Sequence, residues 1–339
     1  MARPLPPMTT ATGFGPLPDL LLEAAGRAGV RRAFAQAGLP EEVVADRSHR
    51  FPLECMVRLF AESGLRAGDR LFGLRVGQAM APEDYGLWAR YALSARTLRA
   101  AIGRLAWALP LHQTGPSVSL YARGGSAVFA YHAPRFAGVD ARQHVDHVVP
   151  TMLEIVRRYL GPDWSPAWIG LPYARDDKAE LLAEALGIVA HVDTAAILVP
   201  LSQAELDVPA RNHGAGTAQP TRSDVQARLR RNPACAVAVI EDCIRIELLA
   251  GRSDINGVAS RLGASKRSLQ RMLAQENTSY SLLLDKVRRV KAVELLRAPN
   301  AQIGQIALAL GYADPSNFTR AYRKWTGTTP SVTRRGDIG

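Results

Sequence analysis

The sequence predicts two domains of different fold class, an α+β domain at the N-terminus and an all-α domain at the C-terminus. Helical and strand-like patterns alternate irregularly in the N-terminal part, whereas the last part of the chain contains a repeated helical pattern. A segment rich in Pro, Gly and Thr lies between the two parts. We therefore expect a disordered tail over 1–16, an α+β domain over 17–206, a linker over 207–222 and an all-α domain over 223–339.

Helices are predicted first in the N-terminal part. Between Phe51 and Gly64, the residues Met56, Leu59 and Phe60 recur at helical spacing and form one apolar face. Further helices are predicted near Tyr85–Leu93 and over Thr97–Ala108, with the Thr97 side chain as an N-cap.

A β-hairpin is predicted after these helices. Apolar and polar residues alternate from Ser117 to Arg123 and again from Ala127 to His132, and Gly124-Gly125 between them supplies a tight turn. Further strands are expected downstream at Trp168–Leu171, Ile188–Val192 and Ala195–Val199. One further helix is expected at Lys178–Leu186.

A long helix is predicted over 139–160, because apolar residues recur there on one broad face. Pro150 lies inside this segment. Since proline removes a backbone donor and crowds the preceding turn, we expect Pro150 to kink the helix or to split it in two.

The C-terminal part contains one sequence pattern twice. Five residues recur 48 positions later: Ile255, Val258, Ala259, Leu262 and Gly263 become Ile303, Ile306, Ala307, Leu310 and Gly311. Leu269 and Arg271 recur 49 positions later as Phe318 and Arg320. A repeat of this length indicates two copies of one small supersecondary unit.

Each copy has the features of a helix-turn-helix unit. A short amphipathic helix ends at Gly263 or Gly311, where glycine most easily takes the left-handed conformation that ends a helix. A second helix then begins, and in the second copy Asp314 can cap it with Pro315 at its first position. A helix from about Ser279 to Arg297 is expected to connect the two units.

The second helix of each copy carries residue types that contact DNA. Arg bonds guanine, Asn and Gln bond adenine, and Ser, Thr, Lys and Arg bind phosphate. The candidate DNA-binding residues are Ser265, Lys266, Arg267, Gln270, Arg271, Ser316, Asn317, Thr319, Arg320, Arg323 and Lys324. Arg271 and Arg320 are equivalent in the repeat, so one of them can serve packing or phosphate, and Arg267 and Gln270 are the stronger candidates for bases.

The net charge supports this prediction. Residues 221–339 contain 20 Lys and Arg against 10 Asp and Glu, which places +10 of the total +11 in the C-terminal domain. A basic domain attached to a nearly neutral one is typical of a protein with one polyanion-binding part.

These motifs resemble the DNA-binding domain of the AraC/XylS family of transcription regulators. The resemblance covers about residues 254–335 and is most specific in Ile303-x-x-Ile306-Ala307-x-x-x-Gly311-Tyr312-x-Asp314-x-Ser316-x-Phe318-x-Arg320-x-Tyr322, closed by Gly327 and Pro330. It implies two helix-turn-helix units joined by a long helix. Asn277 departs from the family pattern, which commonly has glycine there, but Asn also tolerates the left-handed region.

The N-terminal part resembles the effector domain of one subgroup of that family, which includes regulators of ornithine and other amino acid or amine catabolism. The matching segments are Phe72-Gly-Leu-Arg-Val-Gly, Tyr85-Gly-Leu, Ser94-x-x-Thr97-Leu98 and Leu198-x-Pro200-Leu201. The resemblance implies a module that senses a small molecule and dimerises. It does not extend to the sugar-binding barrel found elsewhere in the family.

Aromatic residues before the hairpin are candidates for the effector site. Tyr85, Trp88, Tyr91, Trp107 and His112 cluster in sequence, and aromatic walls with a few polar groups are common in ligand sites. The alternative is that these residues are ordinary core aromatics.

No pattern in the chain indicates an enzyme. Walker A, nucleophile-elbow and H-E-x-x-H patterns are absent from the sequence, so we predict no catalytic residues and no cofactor. His144 and His147 could share a metal, but solvated or helix-packing histidines are the better interpretation. Cys235 and Cys243 are expected in the core, and the low cysteine content fits a reducing cytoplasm.

The sequence therefore predicts a cytoplasmic, sequence-specific transcription regulator, an activator that responds to a small-molecule effector of unknown identity. The expected partners are double-stranded DNA at promoter sites, the effector, RNA polymerase and a second copy of the chain in a homodimer; no membrane partner is expected. The alternative is a repressor, or a ligand-independent DNA-binding protein whose N-terminal domain only dimerises.

Overall fold

The computed structural model describes residues 5–174, 177–210, 219–231, 235–298 and 302–336. The chain divides into two compact units. The N-terminal unit is formed mainly by Pro6–Ser48 and Pro52–Pro233, and the C-terminal unit mainly by Ala234–Gly339.

The N-terminal unit combines helices with one larger sheet, as predicted for an α+β domain. The described strands are β1 (Met8–Thr10), β2 (Arg50–Pro52), β3 (Ser117–Arg123), β4 (Ser126–His132), β5 (Trp168–Gly170), β6 (Val189–His191) and β7 (Ile197–Ser202). The α-helices are α1 (Leu17–Gln36, interrupted at Gly26), α2 (Leu53–Ala67), α3 (Phe72–Gln78), α4 (Leu87–Leu93), α5 (Leu98–Ala108), α6 (Arg142–Leu160), α7 (Asp177–Leu186), α8 (Gln203–Leu206) and α9 (Arg222–Arg231). Short 3-10 helices occupy Ala11–Phe14, Glu41–Ala45, Pro82–Tyr85 and Leu109–Leu111.

The larger sheet has the strand order β3-β4-β7-β5-β6 within the described residues. Strands β3 and β4 form the predicted hairpin, with Leu120 paired to Phe129 and the turn at Gly124-Gly125. Strands β4 and β7, and likewise β7 and β5, pair antiparallel, whereas β5 and β6 pair parallel. This open, mixed sheet differs from a closed barrel, as the sequence resemblance implied.

Helix α6 is the central element of the N-terminal unit. It runs without interruption through Pro150, so the alternative that Pro150 splits the helix in two is wrong. Helix α3 packs closely on α6 at Gly73 and Gly77. A Cβ at Gly73 would overlap the carbonyl oxygen of Gln143, and a Cβ at Gly77 would overlap that of His147. The two glycines are therefore required by the close approach of the helices.

The predicted disordered tail over 1–16 is wrong from Met8 onward. Met8–Thr10 is a strand and Ala11–Phe14 a 3-10 helix, and the Met8 and Phe14 side chains are buried. The apolar residues within the proline-rich stretch were the sequence signal that this segment is ordered. A disordered segment does not bury apolar side chains. The first part of that tail, 1–4, lies outside the described residues.

The predicted linker is described in part. Its residues 211–218 lie outside the described residues. On the N-terminal side, Asp207 pairs with Arg99, and the Ala210 amide donates to the Arg96 carbonyl oxygen at 2.8 Å. Helix α9 groups with the N-terminal unit, where the Arg222 guanidinium lies 4.9 Å from the centre of the Trp107 ring. The compact C-terminal unit thus begins later than the predicted boundary at 223.

Within the described residues from 235 onward, the C-terminal unit contains helices and no strands, which confirms the predicted fold class. Its helices are α10 (Ala236–Leu249), α11 (Ile255–Arg261), α12 (Lys266–Gln275), α13 (Tyr280–Leu296), α14 (Ile303–Ala309), α15 (Pro315–Thr326) and α16 (Pro330–Gly336). The pairs α11–α12 and α14–α15 are the two helix-turn-helix units, and α13 connects them.

Backbone conformations in the two helix-turn-helix units agree with those that the sequence predicts. Gly263 and Gly311 have φ of 59° and 72°, and Asn277 takes the left-handed conformation with φ of 52°. Ala259 and Ala307 are buried where the helices approach each other. Among the cysteines, Cys243 is buried as expected, but Cys235 is exposed because it precedes the first turn of α10.

Candidate nucleic-acid interface and effector cavity

Helix α12 presents one polar face and one apolar face. Leu269 and Leu273 are buried beneath it. Ser265 caps the helix, since its hydroxyl oxygen accepts the Ser268 amide at 3.1 Å. The predicted DNA-contacting residues are all exposed on the remaining surface: Ser265, Lys266, Arg267, Gln270 and Arg271. Their arrangement leaves a row of donors along the outside of the helix.

Helix α15 has the same construction. Phe318 and Tyr322 are buried, and Asp314 Oδ1 accepts the Ser316 amide at 2.7 Å. Of the predicted DNA-contacting residues on this helix, most are exposed, namely Ser316, Asn317, Arg320, Arg323 and Lys324. Thr319 is only half-exposed, and its hydroxyl donates to the Pro315 carbonyl oxygen at 3.0 Å, so it is the least available.

Asn317 and Arg320 bond to each other on the surface of α15. The Arg320 Nη2 donates to Asn317 Oδ1 at 2.5 Å. Arg320 therefore uses one of the two lone pairs of the Asn317 amide oxygen. Recognition of adenine uses both groups of the amide at once, and the second lone pair of the Asn317 oxygen allows Arg320 to stay bonded while Asn317 reads such a base.

A buried carboxylate organises the first helix-turn-helix unit. Glu247 on α10 is 2% exposed and accepts from Arg252 Nε at 2.7 Å and from Arg261 Nη2 at 2.6 Å. Burial raises the pKa of Glu247, but the hydrogen bonds from Arg252 and Arg261 outweigh it and leave the pKa below its usual value. A Cβ at Gly257 would overlap the same carboxylate, so α11 also lies against it.

A buried arginine organises the second unit. Arg288 on α13 donates from Nε to the Leu310 carbonyl oxygen at 2.8 Å and from Nη2 to the Gly311 carbonyl oxygen at 3.1 Å. Its guanidinium also lies 4.2 Å from the centre of the Tyr312 ring. Arg288 thus satisfies carbonyl groups at the C-terminal end of α14, which have no partner within the helix.

Sequence reasoning missed both Glu247 and Arg288. Glu247 lies between the apolar residues Ile246 and Leu248, and this isolated charge was the available signal; Arg288 is followed by Arg289 and gave no such signal. The connecting helix α13 has 17 residues and is therefore about 26 Å long. That length is shorter than one turn of DNA, about 34 Å.

The second site is a cavity inside the N-terminal unit, here called the aromatic cavity. Its volume is about 50 Å³. The 3-10 helix after β1 contributes to its wall, as do helices α2, α4, α5 and α6 and strands β3 and β4. The lining residues are Gly13, Met56, Tyr85, Trp88, Leu105, Leu109, His112, Gln113, Val118, Phe129, Tyr131, His144, His147, Val148, Thr151, Met152 and Ile155.

Three of the five predicted effector residues line this cavity. Tyr85, Trp88 and His112 contribute to its wall, and the Trp88 and His112 rings are stacked with centres 5.4 Å apart. Tyr91 and Trp107 do not belong to the lining; their rings contact each other, with centres 5.8 Å apart. The sequence cluster therefore separates into two groups in space.

Polar side chains of the cavity make several hydrogen bonds. Tyr85 Oη lies 3.0 Å from His147 Nε2 and 3.2 Å from Thr151 Oγ1. The Tyr131 hydroxyl donates to Gln113 Oε1 at 2.7 Å. His112 Nδ1 lies 2.7 Å from Thr10 Oγ1, which ties the N-terminal segment to the cavity wall.

The cavity contains two buried histidines that are neutral at physiological pH. Burial lowers the pKa of His144 to about 4. Burial, with the nearby His144 and His112, holds the pKa of His147 well below its usual value. Solvated and helix-packing histidines were the two expected alternatives. Both side chains are buried, so His144 and His147 are packing residues. Among the described residues, no group of three or more His, Cys, Asp or Glu is placed to hold a metal ion.

Two residues of the cavity lining each have a buried polar atom with no partner among the described residues. These atoms are Trp88 Nε1, which can only donate, and His147 Nδ1, whose role depends on the tautomer. Both side chains are at least nine-tenths buried. A buried polar group without a partner costs about 1–3 kcal/mol.

Sequence reasoning did not identify the part of the cavity on α6. His144, His147, Val148, Thr151, Met152 and Ile155 all line it. These positions follow the spacing of one helical face, so the signal was a stripe that mixes histidine and threonine with apolar residues. We interpreted that stripe as core packing.

Within the described residues, no helix is long and apolar enough to cross a membrane.

Comparison with known proteins supports the division into a regulatory and a DNA-binding part. The model of the family described as "Arabinose-binding domain of AraC transcription regulator, N-term" matches residues 28–210, more than half of the chain. A model described as "Helix-turn-helix domain" matches residues 258–336. The fold and these matches define a DNA-binding transcription regulator, which is not an enzyme. The chain belongs to the AraC family of transcription regulators.

Several relatives are similar to this chain. The ornithine utilization regulator of Pseudomonas aeruginosa is 26% identical over 92% of this chain and 93% of its own length. The HTH-type transcriptional regulator VirS of Mycobacterium tuberculosis is 36% identical over 24% of this chain and 24% of its own length. The crystal structure of the transcriptional regulator CdpR from Pseudomonas aeruginosa is 21% identical, covers 91% of this chain and 97% of its own chain, and superposes with a TM-score of 0.43.

Proposed function

We propose that this transcription regulator is an activator whose activity responds to a small molecule bound in the aromatic cavity. The observation that carries the proposal is the cavity itself, which lies in the N-terminal unit and whose lining includes two residues with unpartnered polar atoms, Trp88 (Nε1) and His147 (Nδ1). Cavities with apolar walls and a few convergent polar groups are typical ligand sites.

The names of the relatives do not identify the effector of this chain. Arabinose in the family description is a sugar with many hydroxyl groups, and ornithine in the name of the Pseudomonas aeruginosa relative is a charged amino acid. The aromatic cavity has a mostly apolar wall and a volume of about 50 Å³. These properties support a different, smaller effector.

DNA recognition is assigned to α12 and α15. In a helix-turn-helix unit, the N-terminal part of the second helix meets base edges, and flanking groups bind the backbone. We propose that Arg267, Gln270 and Arg271 enter one major groove and that Asn317 and Arg320 enter the next. The remaining candidates, Ser265, Lys266, Ser316, Thr319, Arg323 and Lys324, would then contact phosphate.

The homodimer and the contact with RNA polymerase rest on resemblance to the family. A ligand-independent DNA-binding protein or a repressor would use the same contacts with DNA. These alternatives differ from the proposed activator in how transcription changes, which is what the following experiment measures.

The test uses a reporter promoter. A binding site selected from random DNA with the full chain is placed upstream of a weak promoter, and cells with and without the protein are exposed to a panel of small molecules. An activator raises expression when its effector is present, a repressor lowers expression, and a ligand-independent protein responds to no compound. Val148→Phe, which fills the aromatic cavity, should abolish the response without loss of DNA affinity, whereas Leu181→Phe on the surface should not.

A further inference from the structure

The wall of the aromatic cavity is uncharged. Among the described residues that line it, there is no Asp, Glu, Lys or Arg. Asp146, which lies between the two cavity histidines in sequence, is not part of the lining, because it is paired with Arg70 and accepts from the Tyr173 hydroxyl at 2.9 Å. The polar groups that remain are imidazole, indole, amide and hydroxyl groups.

An uncharged wall selects against charged ligands. A buried amine or carboxylate without a counter-charge loses its hydration and gains no ion pair in return. His144 and His147 do not provide a positive charge at neutral pH, because burial lowers the pKa of each. An amino acid carries both an ammonium and a carboxylate group, and each of them would lose its hydration without gaining an ion pair.

The unpartnered atoms define what the ligand must offer. Trp88 Nε1 can only donate, so its partner is an acceptor such as a hydroxyl or carbonyl oxygen. Tyr85 can donate to either His147 Nε2 or Thr151 Oγ1, and the choice sets the tautomer of His147. His147 Nδ1 can therefore act as donor or acceptor, so a hydroxyl and a carbonyl are both compatible with it.

The volume limits the size of the ligand. One water-sized group needs about 10–15 Å³ on this measure, so a cavity of about 50 Å³ accepts a molecule of only a few non-hydrogen atoms without expansion. Met56, Met152 and Ile155 form part of the wall, and methionine side chains adapt readily to small additional groups.

We propose that the aromatic cavity binds a small uncharged molecule with a short apolar body and one oxygen that accepts a hydrogen bond from Trp88 Nε1, such as a short-chain alcohol or ketone. This inference rests on the proposed effector function and names the chemical class of the effector. The site excludes amines, carboxylates and amino acids by desolvation, and it recognises the oxygen through the indole of Trp88.

Binding is tested on the full chain labelled with ¹⁵N-tryptophan, in which Trp88→Phe assigns the Trp88 indole resonance. The probes are 1-butanol, 2-butanone, butylamine and butyrate at pH 7, which have the same number of carbon atoms but different charge. 1-Butanol and 2-butanone should shift the Trp88 resonance saturably, and the two ions should leave it unchanged at the same concentration. A series from ethanol to 1-hexanol should show an optimum length, because the cavity is limited in size.

Two results would overturn the proposal. Equal shifts from the ions would mean that the wall does not select by charge. No saturable shift from any uncharged member of the series would mean that the cavity is not a site for this class. Trp88→Phe should weaken 1-butanol binding, measured by saturation-transfer NMR on the ligand, about fivefold through loss of one hydrogen bond. Trp107→Phe, outside the lining, should leave it unchanged.

The reporter assay separates this proposal from the effector function on which it rests. If an ion or an amino acid drives the reporter while the Trp88 resonance stays unchanged, the regulator responds to an effector but the chemical class is wrong. If the alcohols bind with a saturable shift and the reporter does not respond, the cavity binds this class and the proposed effector function fails.

Discussion

Arg288 donates to the carbonyl oxygen of Leu310 across 22 residues of sequence, and this bond joins the connecting helix to the turn of the second helix-turn-helix unit. The side chain is only 8% exposed, so the bond lies within the packed interior of the unit. The orientation of α15 thus depends on a residue that belongs to α13.

The first prediction concerns this bond. Arg288→Met should destabilise the C-terminal unit by about 2–4 kcal/mol, because it leaves buried carbonyl groups without a donor. Urea unfolding is followed through 5-fluorotryptophan at Trp325, which packs on the core of this unit. Arg289→Met changes the neighbouring exposed residue and serves as control. Equal unfolding midpoints for the two variants would show that the Arg288 bonds contribute no stability.

The second prediction concerns Gly77. An alanine there would overlap the His147 carbonyl oxygen and bring its Cβ 2.6 Å from Pro150 Cγ, so the helices must move apart. We expect Gly77→Ala to lower stability by about 1–3 kcal/mol, as overpacking does. Gly103→Ala on α5 meets no atom within 4 Å and should instead raise stability by about 1 kcal/mol through helix propensity. Thermal unfolding of both variants decides the matter; a neutral Gly77→Ala contradicts the close approach.

The third prediction concerns pH. Burial lowers the pKa of His144 from 6.5 to about 4, so between these values the unfolded chain binds a proton that the folded chain does not. Stability should therefore fall as pH decreases, and His144 alone should account for a loss of about 2 kcal/mol between pH 7 and pH 5. His144→Gln should make the dependence of the unfolding free energy on pH shallower by that amount. An unchanged slope in urea titrations at pH 7, 6 and 5 would mean that His144 is not the group responsible.

The fourth prediction separates base contacts from phosphate contacts. Gln270→Ala should cost about 1–3 kcal/mol on the selected site and little on scrambled DNA. Lys324→Ala should weaken binding to both about equally and should reduce the dependence of affinity on salt, because one counterion fewer is released. Fluorescence anisotropy at several salt concentrations gives both quantities. If Gln270→Ala lowers both affinities by the same factor, Gln270 does not read bases.

The sequence predicted the C-terminal unit in detail because its information is local. Gly311, Asp314 and Pro315 each mark a helix end by backbone chemistry that does not depend on distant residues. Arg288 was not predicted, since its partners Leu310 and Gly311 become neighbours only in the folded unit.

The aromatic cavity was predicted only in part for the same reason. Tyr85 and Trp88 attract attention as aromatics in one short segment, but Thr151 lies 66 residues from Tyr85 and bonds to it only after α6 has packed. The split expected at Pro150 does not occur, although proline removes one backbone donor from the helix.

Helix α6 supplies six lining residues of the cavity, all from one continuous segment of the chain, Arg142–Leu160. Under the effector function proposed for this cavity, a library that randomises this single stretch of the gene would change which compound is detected. The surfaces of α12 and α15 are encoded more than one hundred residues downstream and stay untouched. The protein thus lends itself to conversion into sensors for new compounds that keep the same promoter.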